Sequence, residues 1–279
     1  MKRMRAAYMP LATYPEIVED DSILAAANFA ASLECALEVE AFSVDIPRVS
    51  SPLAGLVIDI PGLVRAAEEK SRAECQRLLG LVRNSTAARL ELVCTSRDVV
   101  LGGVFEAAAR AARYRDLAML PWSGEAGVAQ HLAEAVVFGS GRPTFLIPPG
   151  ARADTLDHIA IAWDESRVAA RALGDALPLL SEGGQVSVLT VKDEKPLGGS
   201  DPAGALAAAL EKRGFKATPV STSLYGRTVA AALQDTASSV GANFLAMGGF
   251  GHSRVRDFVL GGATKETLED LRLPVLLAH

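Results

Sequence analysis

Between Met247 and Thr264 the chain reads MGGFGHSRVRDFVLGGAT, and five of these eighteen residues are glycine. Gly248, Gly249 and Gly251 bring no side chain and permit positive φ, so backbone amides can close on an anion. Gly261 and Gly262 open a helix, and the first N–H groups and positive dipole end of a helix favour the same kind of ligand. Thr264 adds a hydroxyl in that first turn, and Arg254, Arg256 and Lys265 add positive charge. His252 lies inside the loop, within reach of a phosphate. The alternative is a tight strand exit and helix cap with no ligand, with His252 a surface or packing residue. Two common phosphate motifs are excluded. No Gly-Lys-Ser or Gly-Lys-Thr occurs in the stretch, and Arg254 stands where a dinucleotide motif requires its third glycine.

The elements that must position these residues are legible on either side. Ala242–Ala246 is a short apolar run of the kind that forms a buried parallel strand, and KETLEDL after the loop has a helical pattern. Strand, glycine loop and helix follow one another. At these residues the sequence resembles the universal stress protein family, whose nucleotide-binding members carry G-x2-G-x9-G followed by Ser or Thr. Gly248, Gly251 and Gly261 stand at that spacing, and TKETLEDLRLPVLLAH is similar to the family's last helix and closing Pro-Val strand. Gly262 occupies the Ser or Thr position, so one hydroxyl contact is missing, while Thr264 keeps a family hydroxyl position.

The resemblance implies a site made of Trp163, Asp164, Val191, Met247, Gly248, Gly249, Gly251, His252, Gly261, Gly262, Ala263 and Thr264. It implies ATP or a related adenine nucleotide as the ligand, with or without Mg²⁺, and no catalytic residue. In WDESRVAARAL the acid Asp164 closes a strand and precedes a helix, the family position that contacts the adenine end. Capping of that helix is its alternative role. Val191 matches the family position that packs along the base; a buried strand valine without a ligand is the alternative.

The chain has 279 residues, 49% hydrophobic and 22% charged, enough for two separate cores. A net charge of −5 leaves no basic surplus for nucleic acid or an anionic membrane. Cys35, Cys75 and Cys94 are isolated, which fits small buried residues in a reducing cytoplasm. Cys35 and Cys75 fall in helical patterns and Cys94 in a strand. Lys2, Arg3 and Arg5 imitate the start of a signal peptide, but Pro10 and four acids from Glu16 to Asp21 interrupt it. His131, His158, His252 and His279 show no metal spacing.

Strands and helices alternate throughout. The first half places strands at 4–11, 37–47, 88–95, 116–121 and 144–148, and helices at 20–36, 63–84, 99–114 and 127–138. The second repeats that order after PGARADTL, which marks a boundary between units 1–150 and 151–279. Such alternation requires right-handed crossovers and parallel sheets covered on both faces. The expected fold is therefore α/β, two tandem doubly wound domains. The resemblance supplies five strands each in the order 3-2-1-4-5, a fold like that of the adenine nucleotide alpha hydrolases. In such sheets ligands bind where strand order reverses, so Asp164 and the glycine loop should face one crevice.

The first half offers Pro10, Leu11 and Ala12 where Asp164 stands, and only Gly124 and Gly127 as a remnant of the glycine motif, so it is expected not to bind nucleotide. The whole is expected to be a cytoplasmic sensor or regulator in stress response. A weak ATP hydrolase or phosphotransferase and a ligand-free interaction protein are the alternatives. The two halves are expected to pair through their closing strands, with a homodimer as a further option.

Overall fold

The computed structural model of the chain describes residues 4–48, 59–86, 90–122, 124, 127–152, 155–193, 201–249 and 262–279. In the first half β1 (Arg5–Ala12), α1 (Asp20–Ser32), β2 (Cys35–Asp45), α2 (Ile60–Thr86), β3 (Leu92–Val100), α3 (Val104–Ala112), β4 (Leu117–Pro121), α4 (Val128–Ser140) and β5 (Thr144–Ile147) alternate. The second half repeats them as β6 (His158–Ala162), α5 (Arg167–Ala176), β7 (Gln185–Val191), α6 (Pro202–Glu211), β8 (Lys216–Thr222), α7 (Val229–Ser239), β9 (Phe244–Gly248), α8 (Gly262–Glu269) and β10 (Val275–Ala278).

All ten strands lie in one sheet, ordered β3-β2-β1-β4-β5-β10-β9-β6-β7-β8. Each half thus has the order 3-2-1-4-5 and is parallel throughout, while β5 and β10 meet antiparallel, with Val275 opposite Leu146 and Leu277 opposite Thr144. Residues alternating along the strands divide between two cores. One core lies beneath α1, α2, α5 and α6 and includes Leu11, Phe29, Leu78, Ile161, Leu173 and Phe244; the other, beneath α3, α4, α7 and α8, includes Tyr8, Leu120, Val136, Leu189, Leu233 and Leu277. Both cores run across the β5–β10 junction. On the first face Phe145 of β5 meets Phe29 and Phe244 edge-on, each at a centroid distance of 5.1 Å.

Two element boundaries differ from the periodicity. The first helix, expected to reach residue 36, ends at Ser32, because Glu34 turns the chain at a φ of 53° and Cys35 pairs with Arg5 as the first residue of β2. Cys35 therefore lies on a strand, where burial pushes its thiol up to about 11; burial raises Cys75 and Cys94 as well. Thiols shifted that way are poor nucleophiles at neutral pH. Val99 and Val100, expected to begin a helix, extend β3 through pairing with Val44 and Asp45, and α3 starts only after Gly102 reverses the chain at a φ of +82°. Strand pairing overrides the local helical pattern there.

The sheet ends at β3 and β8. In β3, Arg97 reaches back to Glu40 at 2.8 Å, a carboxylate that also accepts the buried Tyr8 hydroxyl at 2.5 Å. β8 carries Pro219, a residue confined to the edges of sheets because it lacks an N–H. No helix among the described residues is long and apolar enough to cross a membrane.

At the N-terminal ends of the second-half strands, His158 is 6% exposed, with Nε2 at 2.9 Å from the Ser187 hydroxyl and Nδ1 at 3.0 Å from the Gln185 amide. A neutral ring protonated on Nε2 satisfies both contacts. Burial lowers its pKa from the usual value, against the opposing pull of Asp157. The sign follows. Above the unfolded-state pKa of about 6.5 both states are neutral and this stability is complete; as pH falls from there through the lower folded value, only the unfolded chain takes up the proton and stability is lost. Denaturant midpoints should decline over that window in the parent and decline less in His158→Gln, whereas equal slopes would remove His158 from the account. At the junction, Phe145→Ala should cost about 3–5 kcal/mol of unfolding free energy, while Tyr114→Ala on the surface should stay within about 0.5 kcal/mol.

Candidate functional site

The order of strands reverses between β6 and β9, and the carboxyl ends of these strands define the crevice. Ile161 pairs with Ala246, so the residues that leave β6 and β9 together are Trp163 and Asp164 on one side and Gly248 and Gly249 on the other. Val191 ends the neighbouring β7. The sequence-derived set is divided between the faces of the sheet. Val191 and Met247, 7% and 4% exposed, join one apolar cluster with Ala263 packed against it on the α7–α8 face, while Trp163 packs into the core on the opposite face. The Thr267 hydroxyl donates to the Ala263 carbonyl at 2.7 Å and lies 3.7 Å from Met247 Sδ, tying α8 to the end of β9. Thr264 is 3% exposed, in the first turn of α8. Gly251, His252 and Gly261, with Arg254 and Arg256, lie outside the described residues.

Asp164 is not the cap of α5. The Ser166 hydroxyl accepts from the Ala169 N–H at 3.1 Å and does that work, and Asp164 Oδ1 accepts from the Ser166 N–H at 3.0 Å, folding the four-residue link back on itself. The glycines also differ in what they do. Neither Gly248 nor Gly249 takes positive φ. A Cβ on Gly248 would lie 2.5 Å from Val168 Cγ2 and 2.8 Å from the Ala169 nitrogen, so Gly248 lets the first turn of α5 close on β9. Among the described residues, a Cβ on Gly249 would meet nothing nearer than 3.6 Å, and on Gly262 nothing nearer than 4.0 Å. Gly249 donates its N–H to the Ala278 carbonyl at 2.8 Å, and its own carbonyl faces His279 Nδ1 at 3.1 Å.

The register maps one half onto the other. Ala7 and Tyr8 pair with Leu117 and Ala118 as Ile159 and Ala160 pair with Phe244 and Leu245, so Ala12 stands at the position of Asp164 and Trp122 at that of Gly249. The backbone agrees: Trp122 donates its N–H to the Ile147 carbonyl at 2.8 Å, as Gly249 does to Ala278. In the first half the link after β1 is longer, and it crosses the reversal. Glu16 accepts the N–H of Val128, the first residue of α4, at 3.0 Å. Gly127, at a φ of +125°, leaves the carboxylate its place, since a Cβ would lie 2.6 Å from Glu16 Oε2. A negative group thus sits where a helix N-terminus attracts one. The cavity remaining beside it, between Pro10, Ala12, Ile17, Leu120 and Val128, holds about 30 Å³, room for roughly two waters against the several hundred Å³ of a small-molecule site.

Glu16, Ser166 and Trp122 escaped the sequence. A loop acid four residues after a strand carries no pattern, and the position of Trp122 directly after the fourth strand is the one signal that pointed to a role.

Residues 155–279 match the model of the universal stress protein family. Among solved structures, a universal stress protein from Archaeoglobus fulgidus DSM 4304 is similar over 97% of this chain and 97% of its own, with a TM-score of 0.66 at 17% identity. A protein of unknown function from Pseudomonas aeruginosa PAO1 is similar over 99% of this chain and 92% of its own, with a TM-score of 0.50 at 13% identity. A universal stress protein in complex with cAMP aligns with 44% of this chain and 97% of its own, at 18% identity and a TM-score of 0.33. No curated protein matches the sequence. The second half, residues 155–279, is thus a universal stress protein domain, in a chain whose whole length takes the fold of a universal stress protein.

Proposed function

We propose that the chain binds one adenine nucleotide, ATP in the first instance, in the crevice between β6 and β9, and that it acts as a nucleotide-dependent sensor or regulator in stress response. The observation that carries the proposal is the contrast between the halves at equivalent positions. In the first half the chain's own Glu16 carboxylate lies on the first N–H of α4. In the second half the four-residue link after β6 turns back through Asp164 and Ser166. Among the described residues no comparable acid is seen on the first N–H groups of α8, which follow the glycine-rich segment in the chain. An adenine ring would lie on Val191 and Met247, with Asp164 at its polar edge, and the phosphates would meet the N–H groups of Gly262 and Ala263. Any Mg²⁺ arrives on the nucleotide.

Isothermal titration of ATP into the intact protein should give one equivalent bound, and a thermal shift should report about 2.7 kcal/mol of stabilisation at 100 times the dissociation constant. Two equivalents, or none, would defeat the proposal. Asp164→Ala should cost about 1–3 kcal/mol of binding. Gly262→Ser restores the hydroxyl that the family motif carries, at a position where a Cβ meets no described residue nearer than 4.0 Å. It should tighten ATP about tenfold, the worth of one hydrogen bond to a charged group. Weaker binding by this variant would show that the phosphates lie elsewhere.

A further inference from the structure

We infer that Trp122, a residue of the first half, is a positioning residue for the phosphate end of the site in the second half. The inference rests on the nucleotide proposal above. The Trp122 side chain is 2% exposed, and its indole N–H donates to the Leu268 carbonyl at 2.9 Å, a bond between residues 146 apart in sequence. Leu268 lies in the last turn of α8, one of the carbonyls that a helix leaves without an internal partner. The other end of the same short, stiff helix, Gly262, is the end assigned to phosphate. Eight residues span only about 12 Å, so a displacement of the anchored end moves the other.

The anchor is double. Gln234 of α7 donates to the Asp270 carbonyl at 2.8 Å and accepts the Arg272 N–H at 2.8 Å, holding the chain just beyond α8 from within its own half. Trp122 holds it from the other half. The register sharpens the point, because Trp122 occupies the position that Gly249 has in the second half, and each donates its backbone N–H to a closing strand. Where one half keeps a glycine beside its ligand loop, the other carries an indole that crosses the junction. The first half, with its own crevice occupied by Glu16, becomes a brace for the working one.

The experiment compares ATP with adenosine, since a fault in the phosphate end alone must weaken the first and spare the second. Trp122→Phe keeps one aromatic ring and removes the pyrrole ring with its N–H. Phe145→Ala is the control, a junction residue on the opposite face of the sheet that leaves α8 untouched. Both ligands are titrated into the full-length parent and both variants, with folding checked by circular dichroism. The expected result is a loss of about tenfold in ATP affinity for Trp122→Phe, the worth of one well-placed hydrogen bond, with adenosine unchanged and the ATP-to-adenosine ratio of Phe145→Ala at the parent value. If the parent binds ATP and Trp122→Phe binds both ligands as the parent does, or loses both equally, Trp122 is a structural residue and the inference falls. If the parent binds no ATP, the nucleotide proposal fails and takes the inference with it.

Discussion

Four residues on each side, Thr144–Ile147 and Val275–Ala278, join two five-stranded halves into one sheet, and every one of them is buried. Left apart, each half would end in an apolar strand with a row of open N–H and C=O groups, the arrangement most prone to unwanted pairing. Joined, the strands satisfy one another's backbone, and the apolar layers above and below become continuous. The aromatic row Phe29, Phe145 and Phe244 takes one residue from a helix of the first half, one from its closing strand and one from the fourth strand of the second. Such cores do not divide at the boundary that the sequence marks. Residues 1–150 and 151–279 repeat one pattern, and both contribute to each of the two cores.

The same junction explains how two copies of one plan come to differ. Both halves direct a helix N-terminus at the point where strand order reverses, which is a property of the winding and not of particular side chains. They differ in the link after the first strand, seven residues against four, and in the link after the fourth, six against thirteen. The longer first link lets Glu16 reach the first N–H of α4, and in the shorter one Asp164 accepts from the Ser166 N–H. In the first half the dipole of α4 is answered by an acid of the chain's own loop.

Much of this was legible in the sequence. The alternation of elements follows from short apolar runs and glycine spacing, which are local signals, while the strand order came from the family resemblance; the register sets Asp164 level with Gly249. The failures share a cause. Cys35, Val99 and Val100 take their conformation from partners on other strands, so a helical pattern in the sequence was overridden by pairing that only the fold reveals. Gly248 was read as backbone freedom, yet its φ is ordinary and its small size is what matters, because Val168 and Ala169 come within contact of it. Glu16 and Trp122 act across distances of 112 and 146 residues, which no window along the chain can span.

The two ends of the sheet have a consequence of their own. Ten strands in an open sheet present two edges, and an edge is ordinarily a template on which further strands can grow. At one end the solvent-facing β3 carries the charged pair Arg97 and Asp98 at its middle, the arginine held in place by Glu40. At the other, β8 places Pro219 in the row, and a strand without a donor at that point cannot be matched bond for bond. Growth is disfavoured at both ends by different means. The sheet is open in its geometry, yet each of its edges carries a residue that disfavours the addition of a further strand.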